Sequence, residues 1–152
     1  MFKKAIESVF ILPVIVILGV ILNFKSFLYD FNLSWFEVGV SSAYLIIWIV
    51  NFKSALKNKK YKLILVLTIF WIITFITSSI GLYINFNPHH TISDILLIFL
   101  FFIFLTPLFG FKFVIEQIII SRYIIFILFL IISFIFSVFG LKFLIAQRKN
   151  RI

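Results

Sequence analysis

The chain has 152 residues, of which 64% are hydrophobic and only 12% are charged, whereas an ordinary soluble domain carries about 25% charged residues. So few polar side chains are not enough to cover the surface of a water-soluble domain of this size. The composition therefore excludes a soluble globular protein and a disordered tail. The sequence contains no cysteine, which excludes a disulfide scaffold. The remaining class is an integral membrane protein.

The formal net charge of +9 comes from 14 Lys and Arg residues against 5 Asp and Glu residues. In a multi-pass membrane protein, basic residues collect in cytoplasmic loops and tails, where they set orientation and meet anionic lipid. We therefore expect the lipid bilayer, and no nucleic acid, as the partner of this charge. Phenylalanine accounts for 23 residues, which is typical of an AT-rich coding sequence and suggests a bacterial origin.

Five apolar stretches follow one another along the chain, at residues 5–23, 35–52, 63–85, 95–110 and 123–146. A helix needs about 20 residues to cross the hydrocarbon layer, and lipid-exposed strands leave backbone groups unpaired. The sequence thus predicts an all-α integral membrane protein, with four to five transmembrane helices in a compact bundle and a single domain over 1–152. The first stretch is read as an uncleaved helix, because no small-residue cleavage site follows it.

The orientation follows from the basic loops. The densest basic segment lies between the second and third stretches and should face the cytoplasm; it contains Lys53, Lys57, Lys59, Lys60 and Lys62. The N-terminus is then also cytoplasmic, and residues 24–34 and 86–93 lie outside.

The fourth stretch leaves the number of spans open. It is broken between Thr106-Pro107 and Gly110, where proline removes a backbone donor and glycine relaxes the chain. Hydropathy favours a fifth complete span. Basic charge favours four spans with a re-entrant fourth element, because the tail with Arg148, Lys149 and Arg151 then lies inside.

Small and weakly polar residues recur at helical spacing in the second, third and fifth stretches. They are Gly39, Ala43, Thr74, Ser78, Gly81, Ser133, Ser137 and Gly140. Such residues let membrane helices approach closely, because lipid supplies no hydrophobic force between them. We expect them to pack helices within the protomer or between protomers. A polar path for a transported species is the alternative.

Two groups of charged or metal-ligating residues are further candidates. His89, His90 and Asp94 lie in one outer loop, where two imidazoles and a carboxylate could bind a metal ion or sense pH. We favour a turn followed by a helix start, in which Asp94 lies in the first turn, and we expect no metal or cofactor. Glu116 follows Lys112 by four residues and can pair with it on one helix face, near Arg122. We expect these charges at the membrane interface; within the bilayer they would be functional candidates.

The five acidic residues are scattered, so the sequence predicts a protein that is not an enzyme. We expect a multi-pass protein of the bacterial inner membrane that acts as the membrane subunit of a larger assembly, for example a phage-defence complex. It would be homo-oligomeric and would bind an acidic cytoplasmic protein through the basic loop and tail. Two alternatives stay open: an immunity protein against a pore-forming bacteriocin, and a small transporter or channel.

Overall fold

The structure, a computed structural model, describes residues 13–24, 34–86, 95–118 and 123–149. The described residues form helices and short connections. In chain order these are α1 (Pro13–Phe24), α2 (Trp35–Lys57), α3 (Tyr61–Phe86), α4 (Ile95–Phe104), a 3₁₀ helix (Thr106–Leu108), α5 (Phe111–Ile118) and α6 (Tyr123–Lys149). Three of them, α2, α3 and α6, are long and apolar enough to cross a membrane. The prediction of an all-helical membrane protein therefore agrees with the structure.

Local sequence signals set both ends of α2. The Ser34 hydroxyl accepts a hydrogen bond from the Phe36 N–H, and the Glu37 carboxylate accepts one from the Ser34 N–H at 2.9 Å. This reciprocal capping box satisfies backbone donors that a helix start leaves free. At the other end Asn58 caps the helix and Lys59 has a positive φ of 51°, which turns the chain sharply into α3. The connection to α3 is thus only three residues long, and α2 and α3 are antiparallel neighbours.

Helices α3 and α6 form an antiparallel pair that is the main packing unit of the bundle. Three contacts give their register: Gly81 faces Phe126, Trp71 stacks on Phe136, and Gly140 faces Thr68. Contacting residues have decreasing numbers along α3 as their partners have increasing numbers along α6. Hence the C-terminal end of α6 lies at the same end of the bundle as the start of α3.

The two ends of the bundle differ in their residues. One end, called the lysine end here, holds the lysine-rich turn between α2 and α3, residues 57–62, together with the last turns of α6. At the opposite end α2 begins and α3 finishes. Helix α1 runs antiparallel to α2, because Gly19 lies against Tyr44 whereas Asn23, further along α1, bonds to Ser41. The chain at Phe24 is therefore close to the opposite end.

Helices α4 and α5 form a hairpin that enters the bundle from the opposite end. The Phe102 ring meets Phe24 there, whereas the Phe104 ring lies 4.9 Å from Phe70, near the middle of α3. Beyond the 3₁₀ helix the chain turns back, and the Phe113 ring reaches Trp35 at 5.2 Å. The ten residues of α4 rise only about 15 Å, half of the hydrocarbon thickness of about 30 Å.

Aromatic side chains fill the centre of the bundle. The Trp48 ring stacks on Phe70 at 4.4 Å and meets Trp71 edge-on at 5.4 Å, and Trp71 in turn stacks on Phe136 at 4.5 Å. Both tryptophans are almost completely buried. This cluster connects α2, α3 and α6, and it places Phe104 of the hairpin against the same core.

Candidate functional site

The lysine end carries a concentrated positive surface. Lys53, Lys57, Lys59 and Lys62 are exposed and Lys60 is partly exposed. The register of α3 and α6 adds the exposed Lys142 to this end. The described acidic residues, Glu37 and Glu116, both lie toward the opposite end. Within the part of the chain that the structure describes, the unpaired lysines are therefore concentrated at the lysine end, whereas the opposite end holds both carboxylates together with Lys112.

Most of the small residues that the sequence singled out lie in the seam between α3 and α6. Thr74, Ser78, Ser133 and Ser137 are buried, and Gly81 and Gly140 face the partner helix. The hydroxyl groups of the first three donate to carbonyl oxygens of their own helices, for example Ser133 to Phe129 at 2.6 Å. These residues lie buried between the two helices, as close helix packing requires, and a polar path stays an alternative prediction for them.

Gly39 and Ala43 differ from the other small residues because they lie on an exposed face of α2. A Cβ atom added at Gly39 would meet no atom within 4 Å. The two residues therefore make no close helix contact within the described part of the protomer. Packing between protomers stays a prediction for them.

The charged pair of α5 lies where the sequence places it on one helix face. Lys112 Nζ is 3.5 Å from Glu116 Oε1. Phe113, between them, contacts Trp35 at the start of α2, so the pair belongs to the opposite end of the bundle and not to its centre. Arg122 and the loop with His89, His90 and Asp94 lie outside the described residues.

A buried polar cluster holds the hairpin in the bundle, and the sequence alone did not reveal it. Asn23 Nδ2 donates to Ser41 Oγ at 3.1 Å and to the Pro107 carbonyl oxygen at 2.9 Å. The Ser41 hydroxyl donates to that same carbonyl at 2.9 Å and accepts from the Gly110 N–H at 3.0 Å. Interhelical hydrogen bonds in membranes contribute about 0.6 kcal/mol each, so the bonds that reach Pro107 and Gly110 together stabilise the hairpin by about 2 kcal/mol.

The cluster requires close approach of two backbones. A Cβ atom added at Gly110 would overlap the backbone carbonyl oxygen of Glu37 and lie 2.6 Å from Ser41 Oγ. Two adjacent buried oxygens, Asn23 Oδ1 and Thr106 Oγ1, have no hydrogen-bond partner among the described residues. The cluster thus keeps unused hydrogen-bonding capacity inside an otherwise apolar bundle.

The signal for this cluster was present in the sequence but was ambiguous. An asparagine ends the first apolar stretch, a serine interrupts the second, and the break of the fourth holds Pro107 and Gly110. Each has an ordinary local explanation as a helix end, a small packing residue or a turn. Only the contact between residues 84 positions apart, Asn23 and Pro107, shows that they act together.

Comparisons with protein-family models, with curated proteins and with solved structures gave no match for this chain.

Proposed function

We propose that this protein is the membrane subunit of a larger bacterial assembly and binds an acidic cytoplasmic protein through its lysine end. The observation that carries the proposal is the register of α3 and α6, which brings the last turns of α6 to the same end as the lysine-rich turn between α2 and α3. Two basic segments that are distant in sequence then form one surface. Electrostatic complementarity of this kind steers association and selects partners of opposite charge.

The proposal includes a membrane topology. Helices α2, α3 and α6 cross the membrane together with the first apolar stretch, residues 5–23, which includes most of α1. Helices α4 and α5 form a re-entrant hairpin from the outer side. The lysine end is cytoplasmic, as the excess of basic residues in cytoplasmic loops requires. A non-spanning hairpin is tolerated at membrane depth because its turn, Thr106–Leu108, is buried and because Ser41 and Asn23 satisfy backbone groups at Pro107 and Gly110.

Cysteine labelling tests this topology directly, since the chain has no cysteine of its own. Single variants Asn58→Cys, Asn150→Cys and Gln117→Cys are treated with a membrane-impermeant maleimide in intact and in permeabilised spheroplasts. We expect Gln117→Cys to react in intact spheroplasts and the other two to react only after permeabilisation. Labelling of Asn58→Cys and Asn150→Cys from opposite sides would contradict the four-span topology.

Charge reversal tests the partner. The doubly substituted protein Lys59→Glu, Lys60→Glu is purified from its native cell in mild detergent, beside the unsubstituted protein. We expect the stoichiometric recovery of an acidic soluble protein to fall by about tenfold, because like charges then face each other across the contact. Mass spectrometry identifies and quantifies what is recovered.

The matched control is Gln117→Glu, which adds negative charge at the opposite end on an exposed position. It should leave recovery unchanged, and labelling of Asn58→Cys should show that the reversed charges do not invert the protein. A partner recovered equally by all three proteins would contradict docking at the lysine end. Recovery of a homo-oligomer alone would reject the proposal of an acidic protein partner. The bacteriocin-immunity and transport functions would then be the remaining alternatives.

A further inference from the structure

An apolar groove runs along the outside of the bundle between α1, α3 and α4. Its volume is about 770 Å³. Helix α1 lines it from Pro13 to Phe24, α3 contributes Val66 and Phe70, and α4 contributes residues between 99 and 104. Trp48 of α2 forms its floor, so the groove reaches the aromatic core of the bundle.

We propose that this apolar groove binds one acyl chain of an anionic phospholipid, whose phosphate lies at Lys62. The volume falls within the range of about 300–1,000 Å³ that is typical of ligand sites. The lining is almost wholly carbon, because the side chains that face the groove are aliphatic or aromatic. A peptide or a sugar in such a groove would bury polar groups without hydrogen-bond partners, which costs several kcal/mol each in hydrocarbon. A hydrocarbon chain carries no such penalty.

The length of the groove also fits a lipid chain. The lining residues of α1 extend from Pro13 to Phe24, which corresponds to about 17 Å at the helical rise per residue. One leaflet contributes half of the hydrocarbon thickness, or about 15 Å. An acyl chain that enters from the lysine end therefore fills the groove along most of its length.

The charge preference follows from the position of Lys62. Lys62, Val66 and Phe70 are spaced four residues apart on α3, so they lie on one face of that helix. Lys62 is exposed and lies one turn beyond the groove, toward the lysine end. Basic residues at the cytoplasmic mouth of grooves between membrane helices bind anionic headgroups, whereas a zwitterionic headgroup gains less from a single ammonium group.

Tryptophan quenching by brominated acyl chains tests the site, because Trp48 lines the groove and Trp71 does not. The protein with Trp35→Phe and Trp71→Phe keeps Trp48 as its only tryptophan. It is reconstituted in phosphatidylcholine with a minor fraction of brominated phosphatidylglycerol, or in the same matrix with the same fraction of brominated phosphatidylcholine. We expect about fivefold more effective quenching by the anionic lipid, the preference that one lysine near the surface supplies.

Two substitutions, each with a matched control, and a protein that retains only Trp71 make the result specific. Lys62→Gln in the same background should abolish the preference, whereas Lys142→Gln, on a helix that does not line the groove, should keep it. Ile17→Phe narrows the groove and should lower the quenching, whereas Leu18→Phe, exposed beside it but outside the groove, should not. The protein that retains only Trp71, which lies 5.4 Å behind Trp48 and does not line the groove, should be quenched less by the anionic lipid than the protein that retains only Trp48.

Three results would overturn the proposal. Equal quenching of Trp48 by both lipids would reject the preference of the groove for an anionic headgroup. Quenching by neither lipid would mean that something else, such as residues 1–12, covers the groove. If Lys62→Gln keeps the preference for the anionic lipid, then the headgroup does not lie at Lys62.

Native mass spectrometry of the unsubstituted protein is an independent measurement, in which we expect one retained phosphatidylglycerol molecule. The site is separate from partner docking, because these measurements contain no partner and leave Lys59 and Lys60 unchanged.

Discussion

Replacing Gly110 by alanine is expected to destabilise the protein by about 3 kcal/mol, the upper part of the usual range for overpacking. The added Cβ atom would overlap the carbonyl oxygen of Glu37, which belongs to the backbone of α2 and has no alternative rotamer. The hairpin would have to move away from α2. It would then lose the bonds of Ser41 to the Gly110 N–H and the Pro107 carbonyl.

Unfolding in mixed detergent micelles, followed by tryptophan fluorescence, measures this loss. Gly39→Ala is the matched control, because it makes the same change in a helix face where the added atom meets nothing within 4 Å. Alanine is the better helix former by about 1 kcal/mol, so the control should be neutral or slightly stabilising. Equal destabilisation of the two variants would show that the hairpin does not depend on close contact between Gly110 and α2.

The sequence predicted the class of the protein and most of its helices. The apolar stretches 35–52, 63–85 and 123–146 correspond to Trp35–Lys57, Tyr61–Phe86 and Tyr123–Lys149, since a helix that is apolar over this length is recognisable from hydropathy alone. The observed helices extend beyond the apolar stretches into polar residues such as Lys57, because a polar residue can continue a helix after the apolar segment ends. The break after Thr106 was also predicted, because proline and glycine act locally.

The faces of these helices were harder to predict. On α3 the buried Leu67 and the exposed Val66 and Ile69 are equally apolar, because lipid and protein interior favour the same side chains. Periodicity therefore does not distinguish them, and the small residues Gly39 and Gly140 looked equivalent in the sequence. The structure separates them, since Gly39 faces open space and Gly140 faces Thr68.

The fourth stretch shows how local and long-range information differ. Its hydropathy predicted a complete span, whereas the distribution of basic residues predicted a re-entrant element. Hydropathy measures only the cost of leaving water, so it does not distinguish a helix of ten residues such as α4 from part of a complete span. The turn after α4 also accepts hydrogen bonds from Asn23 and Ser41 at the Pro107 carbonyl, and these bonds join three segments that are far apart in sequence.

Replacing Gly140 by leucine should disrupt the pairing of α3 and α6 and lower stability by at least about 3 kcal/mol. A Cβ atom at this position would overlap Thr68 Oγ1 and lie 3.0 Å from Thr68 Cβ and Cγ2. The Thr68 hydroxyl is itself fixed by its bond to the Ile64 carbonyl at 2.7 Å. The same micelle titration measures the loss. Gly81→Leu should cost less, because its neighbour is the ring of Phe126, a side chain that can move.

A compensating substitution distinguishes this contact from a general effect of changing a helical glycine. Gly140→Ala alone should destabilise the protein by about 1–2 kcal/mol, and Thr68→Gly in the same chain should recover stability relative to that variant, because it removes the atoms that the new methyl group meets. Gly39→Leu, on the exposed face of α2, should remain close to the unsubstituted protein. If Gly39→Leu fails as Gly140→Leu does, then α2 packs against a second protomer through Gly39 and Ala43. If Thr68→Gly does not restore the stability lost in Gly140→Ala, then contact with Thr68 is not the reason that a side chain at position 140 destabilises the protein.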